Sequence, residues 1–404
     1  MNRKICIITG TRAEFGLLRW LMQEVQASSA LQLQVVATGM HLSPEFGLTY
    51  KEIEQAGFTI DAKIEMLVSA DTATAVTKSM GLGLISYADT YARLAPDLIV
   101  VLGDRFEIFA AAAAALIAGI PVAHLHGGET TEGAFDEAIR HSITKMSHLH
   151  FVAAEEYRHR VIQLGEQPER VFLVGGLGID AIKRTALLTR EELEKSIDFK
   201  LAARNLMITF HPVTLDDQNS AQQMSELLTA LDELQDTNLI FTMPNADTGG
   251  RELSSMVESF VATHKNARTY TSLGQLRYLS CLQYVDGVIG NSSSGLTEAP
   301  SMGIGTVNIG DRQKGRLSAS SVIHCAPTLD SIREAIAKLY DSSYKSILPQ
   351  TVNPYGDGGA SKKIADILRN TSIENLTKKS FFDIHVPSQS YSSIPPHAEI
   401  MNRQ

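Results

Sequence analysis

The stretch KICIITGTRAEFGLLRWLMQEVQ, residues 4–26, changes its hydrophobic period halfway along. Residues 4–9 form an apolar, β-branched run that is typical of a buried strand. After a short turn that contains Gly10, residues 14–26 carry apolar side chains at helical spacing. The stretch therefore predicts a strand, a turn and an amphipathic helix, which together form the repeating unit of a parallel sheet.

The same alternation continues in two sets along the chain. Further buried strands are predicted at 31–39, 98–103, 121–126, 150–154 and 171–176 and, in the second set, at 205–210, 238–244, 287–291 and 305–310. Helical patterns lie between them, for example at 136–149 and 220–235, and the alanine-rich run 108–123 is typical of a buried helix that leads into a strand. This alternation predicts an α/β protein with two doubly wound, Rossmann-type domains.

We expect the division of the chain to follow these two sets. The first domain would span 1–180 and the second 181–370, because charged helical sequence separates the two sets of strands. The last helix of the second domain would pack back on the first domain. The remaining Ser-, Pro- and Lys-bearing segment, 371–404, is expected to be an irregular tail, which either wraps a neighbouring surface through Phe381 and Phe382 or is partly disordered.

The composition narrows the class of protein. The chain has 404 residues, 44% of them hydrophobic, and a net charge of −9, so it can bury the cores of two domains and is a poor general binder of nucleic acid. Its three cysteines lie far apart and lack metal-ligand or redox spacing, as in proteins of a reducing compartment. No signal-peptide pattern occurs, and no apolar run reaches the roughly 20 residues of a spanning helix. We therefore expect a cytoplasmic protein that binds neither nucleic acid nor membrane.

Polar side chains follow the predicted strands at their carboxyl ends, where open parallel sheets bind ligands. They are Arg12, Asp104, Arg105, His126 and Glu129 in the first set and His211, Asn245, Asp247, Asp311, Arg312 and Arg316 in the second. Each one alone is explained at least as well by a turn or by a structural histidine. Together they predict a ligand-filled cleft between two domains.

The segment GNSSSGLTEAP, residues 290–300, indicates the kind of ligand. Gly290 would let the backbone approach a ligand closely, and Ser292 and Ser293 would place hydroxyl and N–H groups at a helix N-terminus, where an anion is favoured. Glu298, about one turn later, suits the two hydroxyls of a ribose. Phosphate followed by ribose describes a nucleotide diphosphate. The alternative is a serine helix cap with Glu298 on a solvated face.

The motifs, taken in order, resemble those of a known family. TGTRAEFG, GDRFEIF, HLHGGE, DEAIRHSITKMSHLHF, VIQLGE, FHP, NADTG, GNSSSGL and NIGDRQKGR are similar to the motifs of bacterial hydrolysing UDP-N-acetylglucosamine 2-epimerases of sialic-acid synthesis, the NeuC type. The resemblance extends from Ile5 to about Arg369. It implies a GT-B-like fold, in which two Rossmann-type domains enclose a cleft, and an enzyme that converts UDP-N-acetylglucosamine and water to N-acetylmannosamine and UDP. It implies no metal or other cofactor, and a homodimer.

The resemblance also implies a set of ligand-binding residues. The UDP site would consist of Arg12, His211, Asn245, Ser292, Ser293, Glu298 and Arg312. Ser292 and Ser293 would hold phosphate, and Glu298 would hold the ribose. Arg12 would reach across from the first domain, and Arg105 would line the cleft near the sugar.

The run His124-Leu125-His126-Gly127-Gly128-Glu129 departs from the pattern of the non-hydrolysing relatives. Those relatives carry a glutamate two residues after the first histidine. Here the carboxylate has moved three residues along, as in the hydrolysing branch. The departure favours hydrolysis.

Inversion at C2 by elimination of UDP to a 2-acetamidoglucal, followed by hydration, sets three requirements. The enzyme must stabilise the departing UDP, supply a base near C2 and supply an acid/base pair for hydration. Asp104, Glu129 and Asp136 are the candidate carboxylates, as paired acids are in glycosidases, and His211 is a further catalytic candidate. The sequence leaves open which carboxylate serves which step.

Asp136 has a second explanation that is about equally good on sequence alone. It precedes the helical run EAIRHSITK and could be a helix N-cap. Arg140 and His141 follow about one helical turn later and could share its face. The resemblance favours a catalytic role.

Three alternative functions remain at this stage. The first is a hydrolysing 2-epimerase for another UDP-sugar, such as UDP-N,N'-diacetylbacillosamine. The second is a GT-B glycosyltransferase, which would need an acceptor groove and would not need three cleft carboxylates. The third is a non-catalytic sensor of UDP-sugars, against which the same carboxylates argue.

Overall fold

The computed structural model describes residues 2–70, 72–131, 135–212, 220–243 and 250–384. In these residues two sheets of parallel strands carry helices on both faces, which confirms the predicted doubly wound α/β architecture. The first sheet has the order β3-β2-β1-β4-β5-β6-β7. Its strands are β1 (Arg3–Thr9), β2 (Leu31–Thr38), β3 (Ala62–Ile64), β4 (Leu98–Leu102), β5 (Val122–Leu125), β6 (Leu149–Val152) and β7 (Val171–Leu173).

The second sheet repeats the arrangement with the order β10-β9-β8-β11-β12-β13. Its strands are β8 (Arg204–Thr209), β9 (Thr237–Thr242), β10 (Ala267–Tyr270), β11 (Gly287–Gly290), β12 (Gly305–Ile309) and β13 (Val322–Cys325). Strands β1 and β8 occupy corresponding positions, third from the edge in each sheet.

The helices connect these strands and cover the two faces of each sheet. Those of the first half are α1 (Arg12–Ala27), α2 (Tyr50–Gln55), α3 (Ala73–Leu94), α4 (Phe106–Ile117), α5 (Asp136–Met146), α6 (Glu155–Gln163), α7 (Leu177–Arg184) and α8 (Arg190–Ile197). Those that follow are α9 (Ser220–Asp232), α10 (Gly250–Thr263), α11 (Gly274–Leu282), α12 (Ser294–Thr297), α13 (Leu329–Tyr340), α14 (Ser342–Ile347) and α15 (Ala360–Asn370). No helix in the described ranges has both the length and the apolar character needed to cross a membrane.

Three strands were not predicted from the sequence, namely β3, β10 and β13. Each lies at the edge of its sheet and has only three or four residues. An edge strand is covered less completely than a central one, so it lacks the continuous apolar run by which the central strands are recognised.

The strand order reverses once in each sheet, between β1 and β4 and between β8 and β11. Ligands of open α/β sheets bind at such points, outside the carboxyl ends of the strands. Asp104, His211 and Ser292 lie in the loops that begin there, and Arg12 is the first residue of α1, just after the end of β1. The fold therefore brings the predicted polar strand ends to the two places where a ligand is expected.

The last helix packs on the first sheet rather than on the second. Ile364 and Leu368 of α15 are fully buried in the same core cluster as Leu18 and Met22 of α1. The predicted domain limits at 180 and 370 remain predictions, and the packing of α15 means that the second half of the chain contributes to the core of the first.

Residues 371–384 contain neither helix nor strand and lie against the same half of the molecule. The Leu376 carbonyl accepts a hydrogen bond from Arg170 Nη1 at 3.1 Å, and the Phe382 N–H donates to the Gly165 carbonyl at 2.9 Å. The Phe381 ring covers Gly165, where any side chain would collide with it. The segment 385–404, also assigned to the tail, lies outside the described residues.

Candidate active site

Gly290 ends β11 in a backbone conformation that only glycine adopts readily. Its φ is +137°, and a Cβ atom there would lie 1.9 Å from the Thr209 carbonyl oxygen. The expectation that Gly290 lets a ligand approach the backbone stays a prediction. The close approach that Gly290 permits is between β11 and its neighbour β8.

Asn291, which the sequence analysis missed, joins the loop after β11 to the loop after β8. Its Oδ1 accepts from the His211 N–H at 2.7 Å, and its Nδ2 donates to the His211 carbonyl at 2.8 Å. Arg312 Nη1 and Gln313 Nε2 both donate to the Asn291 carbonyl, at 3.1 and 2.8 Å. The predicted residues His211, Ser292 and Arg312 are therefore brought together around Asn291.

His211 lies in an environment that favours the neutral ring. Burial and the nearby charge of Arg312 lower the pKa of His211 to about 3. At neutral pH the imidazole can therefore donate or accept a hydrogen bond without adding charge, while Arg312 supplies a positive charge beside it.

The helix expected after the serines is shorter than the sequence suggested. Helix α12 spans only Ser294–Thr297 and is followed by a 3₁₀ turn with Pro300. A proline disfavours helical backbone in the residue before it, so the helix cannot continue, and little helix dipole remains to attract an anion. Ser293 is the N-cap residue, but its side chain makes no capping hydrogen bond. A simple helix cap therefore does not explain the Ser293 hydroxyl.

Glu298 does not lie on a solvated face, contrary to the alternative raised by the sequence. A Cβ atom at Gly178 of α7 would lie 2.9 Å from Glu298 Oε1, so this carboxylate of the second half faces the first half. The Thr297 hydroxyl donates a hydrogen bond to Oε2, and burial raises the pKa of Glu298.

Arg12 begins α1 and contacts the second half of the molecule. Its guanidinium donates to the Ser272 hydroxyl in the loop after β10, and Nη1 lies 4.0 Å from Glu52 Oε1. One turn further along α1, Gln275 Nε2 donates to the Gly16 carbonyl at 2.9 Å. The start of α1 therefore lies against the loop that leads into α11.

Arg140 of α5 is the centre of a second group of polar residues. Its side chain is 2% exposed, Nη2 pairs with the Asp104 carboxylate, and Nη1 lies 2.8 Å from Glu137 Oε2. Nη1 also donates to the Glu129 carbonyl and Nη2 to the Thr131 hydroxyl, each at 2.8 Å. One buried guanidinium thus connects the loops after β4 and β5 to the start of α5. The sequence placed Arg140 near Asp136 but missed Glu137 and Thr131.

Asp136 is the first residue of α5, and Phe135 is the N-cap, so the N-cap explanation of Asp136 is wrong. Burial and the negative charge of Asp104 raise the pKa of Asp136 to about 6. A carboxyl group with this pKa exchanges its proton near neutral pH, as a general acid or base must.

Glu129 has the opposite character. His126 Nδ1 lies 2.9 Å from Glu129 Oε1, and His126 Nε2 accepts a hydrogen bond from the Leu177 N–H at 3.4 Å. Because Nε2 accepts, Nδ1 carries the proton and donates it to the carboxylate. Burial alone would raise the pKa of Glu129, but this hydrogen bond and the charges of Arg316 and Arg140 lower it to about 2. Glu129 is therefore an ionised carboxylate with little access to water.

Arg105 directly precedes α4 and is held by Glu107. Its Nε and Nη2 atoms lie 3.2 and 3.1 Å from the two carboxylate oxygens of Glu107, and Nη2 lies 3.7 Å from Met40 Sδ. Its side chain is 36% exposed. The predicted position near a sugar remains a prediction.

Asn245 and Asp247 lie outside the described residues. Elsewhere in the described ranges, no group of three or more His, Cys, Asp or Glu side chains is arranged to hold a metal ion.

The chain is similar to several known proteins. A family model described as UDP-N-acetylglucosamine 2-epimerase matches residues 23–369. The GDP/UDP-N,N'-diacetylbacillosamine 2-epimerase (hydrolyzing) of Campylobacter jejuni is 43% identical over 386 residues, which cover 95% of this chain and 100% of that protein. The polysialic acid biosynthesis protein P7 of Escherichia coli is 39% identical over 391 residues, with 96% and 100% covered.

A solved structure supports the same assignment at the level of the fold. The UDP-GlcNAc 2-epimerase from Neisseria meningitidis bound to UDP-GlcNAc matches with a TM-score of 0.80 at 19% identity, covering 91% of this chain and 100% of that one. The predicted GT-B-like fold is confirmed. The family match spans most of the chain, and two relatives cover nearly all of it, so the protein belongs to the UDP-N-acetylglucosamine 2-epimerase family.

Proposed function

We propose that the protein is a hydrolysing 2-epimerase that converts UDP-N-acetylglucosamine and water to N-acetylmannosamine and UDP, the first step of sialic-acid synthesis. One observation carries the proposal. Two groups of polar residues, here called walls, lie on loops of opposite halves that the contacts of Arg316 join. The first wall has the serines and Arg312 around Asn291, and the second has Asp104, Glu129 and Asp136 around Arg140.

The first wall suits a departing diphosphate. Arg312, Arg12 and the hydroxyls of Ser292 and Ser293 would stabilise the charge that develops on UDP as its bond to C1 breaks. Glu298, which faces the first half of the molecule, would accept hydrogen bonds from the ribose. His211, neutral at pH 7, would bind without adding charge, and Asn245 would complete the UDP site.

The second wall suits elimination and hydration. As UDP leaves, positive charge spreads over C1 and the ring oxygen, and the C2 proton becomes removable. The resulting 2-acetamidoglucal then takes up a proton at C2 and hydroxide from water at C1, giving the manno product. Asp136, with a pKa near 6, suits the proton transfers, and ionised Glu129 suits stabilisation of the positive charge. Asp104 would act with them through its pairing with Arg140.

The proposal also names the sugar of the UDP-sugar substrate. The E. coli relative is named for polysialic acid biosynthesis and the C. jejuni relative for diacetylbacillosamine. N-acetylmannosamine is the sugar that sialic-acid synthesis requires, and the motif resemblance of the whole chain is to that branch. UDP-N-acetylglucosamine is therefore the proposed substrate.

Incubation of the purified protein with each UDP-sugar separately, without an acceptor, tests the proposal by NMR of the sugar and of free UDP. We expect UDP and N-acetylmannosamine from UDP-N-acetylglucosamine. A tenfold higher kcat/KM for UDP-N,N'-diacetylbacillosamine would contradict the substrate but not the reaction. UDP release only when an acceptor is added would indicate a glycosyltransferase, and tight binding without turnover would indicate a sensor.

A further inference from the structure

Arg316 belongs to the segment 311–317, which follows β12 of the second sheet, yet its guanidinium contacts a loop of the first sheet. Nε donates to the Thr130 carbonyl at 3.0 Å, and Nη2 donates to the Thr131 hydroxyl at 3.2 Å. Nη2 also lies 4.0 Å from Glu129 Oε2, and the Arg316 side chain is 15% exposed. A single cation of the second half therefore contacts each residue of the loop 129–131.

The loop 129–131 is held from the other side by Arg140, which donates to the Glu129 carbonyl and to the same Thr131 hydroxyl. The carboxylate of Glu129 is likewise held from two directions, because Oε1 bonds to His126 and Oε2 faces Arg316. Two arginines from opposite halves of the molecule thus hold this loop, while His126 and Arg316 hold its carboxylate.

The segment that carries Arg316 is fixed at both of its ends. At its beginning, Arg312 and Gln313 hold the Asn291 carbonyl beside the serines of the proposed phosphate loop. At its end, the Leu317 N–H donates to the Tyr157 hydroxyl at 3.3 Å, and its carbonyl accepts from the Tyr355 hydroxyl at 3.2 Å.

The two tyrosines extend this attachment into the first half. Their hydroxyls lie 3.1 Å apart, and since Tyr355 donates to Leu317, Tyr157 donates to Tyr355. Tyr157 belongs to α6, so the segment 311–317 is fastened to the first half directly after Arg316. The same short segment therefore connects the proposed phosphate loop to Glu129.

From this geometry we infer that Arg316 is a positioning residue, which places Glu129 against the sugar when the loop around Asn291 holds UDP. The inference rests on the proposed function. It adds a physical connection between the loop that would bind UDP and the carboxylates of the second wall. Arg316 acts through Glu129 and does not itself need to contact UDP. Misplacement of a reacting group by about 1 Å costs up to about 100-fold in rate, so loss of Arg316 lowers kcat. UDP affinity stays intact, because Arg316 does not contact UDP.

Two other roles for Arg316 make different predictions. A direct ligand of the diphosphate, like the proposed Arg312, would weaken UDP binding when removed. A purely structural ion pair would lower thermal stability, while the folded variant kept its kcat. Only the positioning role lowers kcat at unchanged UDP affinity.

The test compares Arg316→Gln with Arg316→Lys and with the control Lys314→Gln, which removes the same charge from an exposed position two residues away. The dissociation constant of UDP is measured by calorimetry. The values of kcat and KM are measured with UDP-N-acetylglucosamine as substrate. For Arg316→Gln we expect kcat to fall about 10- to 100-fold, UDP affinity to stay within about twofold, and free glycal to appear among the products. Arg316→Lys restores part of kcat, since an ammonium supplies the charge but not the paired N–H donors.

A double-mutant cycle that combines the Arg316 substitution with Thr131→Val adds a second measurement. If Arg316→Gln folds poorly, Arg316→Lys takes its place in this cycle. The two losses in kcat should be non-additive, because the side chains share a hydrogen bond. Unchanged kcat in a folded Arg316 variant, or a loss of UDP affinity equal to the loss of kcat/KM, would overturn the inference. A wild-type protein that turns over neither UDP-sugar would instead overturn the proposed function.

Discussion

At the scale of single residues, neighbouring carboxylates of the cleft acquire different proton affinities from their surroundings. Glu129 receives a hydrogen bond from His126 and faces Arg316, so its pKa is lowered although it is buried. Asp136 is desolvated beside the negative charge of Asp104, so its pKa is raised. Pairs of acids with separated pKa values are typical of sites that perform acid and base chemistry together.

Replacing Asp136 by Asn should abolish turnover and stabilise the fold at neutral pH. The pKa of Asp136 is raised to about 6 in the folded protein, so the stability that the protonated group contributes is complete below its unfolded pKa of about 4 and is lost as the pH rises through 6. A tenfold change in an ionisation constant corresponds to about 1.4 kcal/mol, which solvent screening reduces at a partly exposed group. We expect the unfolding free energy to rise by about 1–2 kcal/mol at pH 8 and to be nearly unchanged at pH 4.

Urea denaturation at the two pH values measures this difference. An equal stabilisation by Asp136→Asn at pH 4 and pH 8 would mean that ionisation of Asp136 is not its source. The matched control is Glu137→Gln, which removes a neighbouring carboxylate that is paired with Arg140 and should therefore destabilise.

Ser293→Ala should weaken UDP binding, since the Ser293 hydroxyl is not used as a helix cap. A hydrogen bond to a charged group contributes about 1–2 kcal/mol, so the dissociation constant should rise roughly 5- to 30-fold.

Glu298→Gln should bind UDP and 2'-deoxy-UDP with more similar affinities than the wild type does. Calorimetry with the two nucleotides checks both expectations, and unchanged UDP affinity in both variants would exclude this loop as the nucleotide site.

The sequence predicts candidate site residues, but it does not predict most of the side chains that contact them. Asp104, Glu129 and Asp136 stand out because they follow strands or begin a helix. The Arg140–Asp104 pair spans 36 positions and the Arg316–Thr130 contact 186, and no local pattern records such distances. His126 had a local signal, since it lies three residues before Glu129 in the HLHGGE motif.

At the scale of elements, the hydrophobic period predicts the central strands and the edge strand β7, but it misses the other three edge strands. Strands β1 and β8 are buried on both faces and read as continuous apolar runs. Strands β3, β10 and β13 are short edge strands without a continuous apolar run. The early end of α12 at Thr297 did have a local signal, because Pro300 follows three residues later.

The segment 371–384 is attached to the first half by a buried ion-pair cluster. Glu166, which is 2% exposed, lies 2.6 Å from Lys379 Nζ, 2.6 Å from Lys145 Nζ and 3.0 Å from His150 Nε2. Burial alone would raise the pKa of Glu166, but these partners outweigh it and lower the pKa to about 2. The carboxylate thus joins the tail to α5 and β6.

Glu166→Gln should therefore destabilise the protein in a pH-dependent way. A lowered pKa contributes stability that is present above the unfolded pKa of about 4.3 and is lost as the pH falls through 2. Removing one partner of a buried pair costs about 3 kcal/mol, so we expect a loss of this size at pH 7 that shrinks steadily below pH 5. Chemical denaturation from pH 7 to pH 3 checks this, with the exposed Glu156→Gln as control. A pH-independent loss would show that packing, and not charge, is responsible.

At the scale of the whole molecule, polar contacts join the two halves in addition to the packing of α15 on the first core. Arg12 reaches Ser272, Glu298 faces Gly178, and Arg316 holds the loop after β5. Each of these contacts joins a residue that follows a strand of one sheet to the other half of the molecule. The predicted two-sheet architecture implied a cleft, but only the assembled fold shows which side chains bridge it.

If UDP leaves by elimination, the hydrogen at C2 of the product must come from solvent. The purified enzyme is incubated with UDP-N-acetylglucosamine in heavy water, and the N-acetylmannosamine formed is examined by proton NMR and mass spectrometry. N-acetylmannosamine incubated without enzyme controls for spontaneous exchange. We expect one deuterium at C2 in essentially every product molecule, because the glycal must take its C2 hydrogen from solvent. Product that retains the original hydrogen at C2 would contradict elimination and hydration altogether.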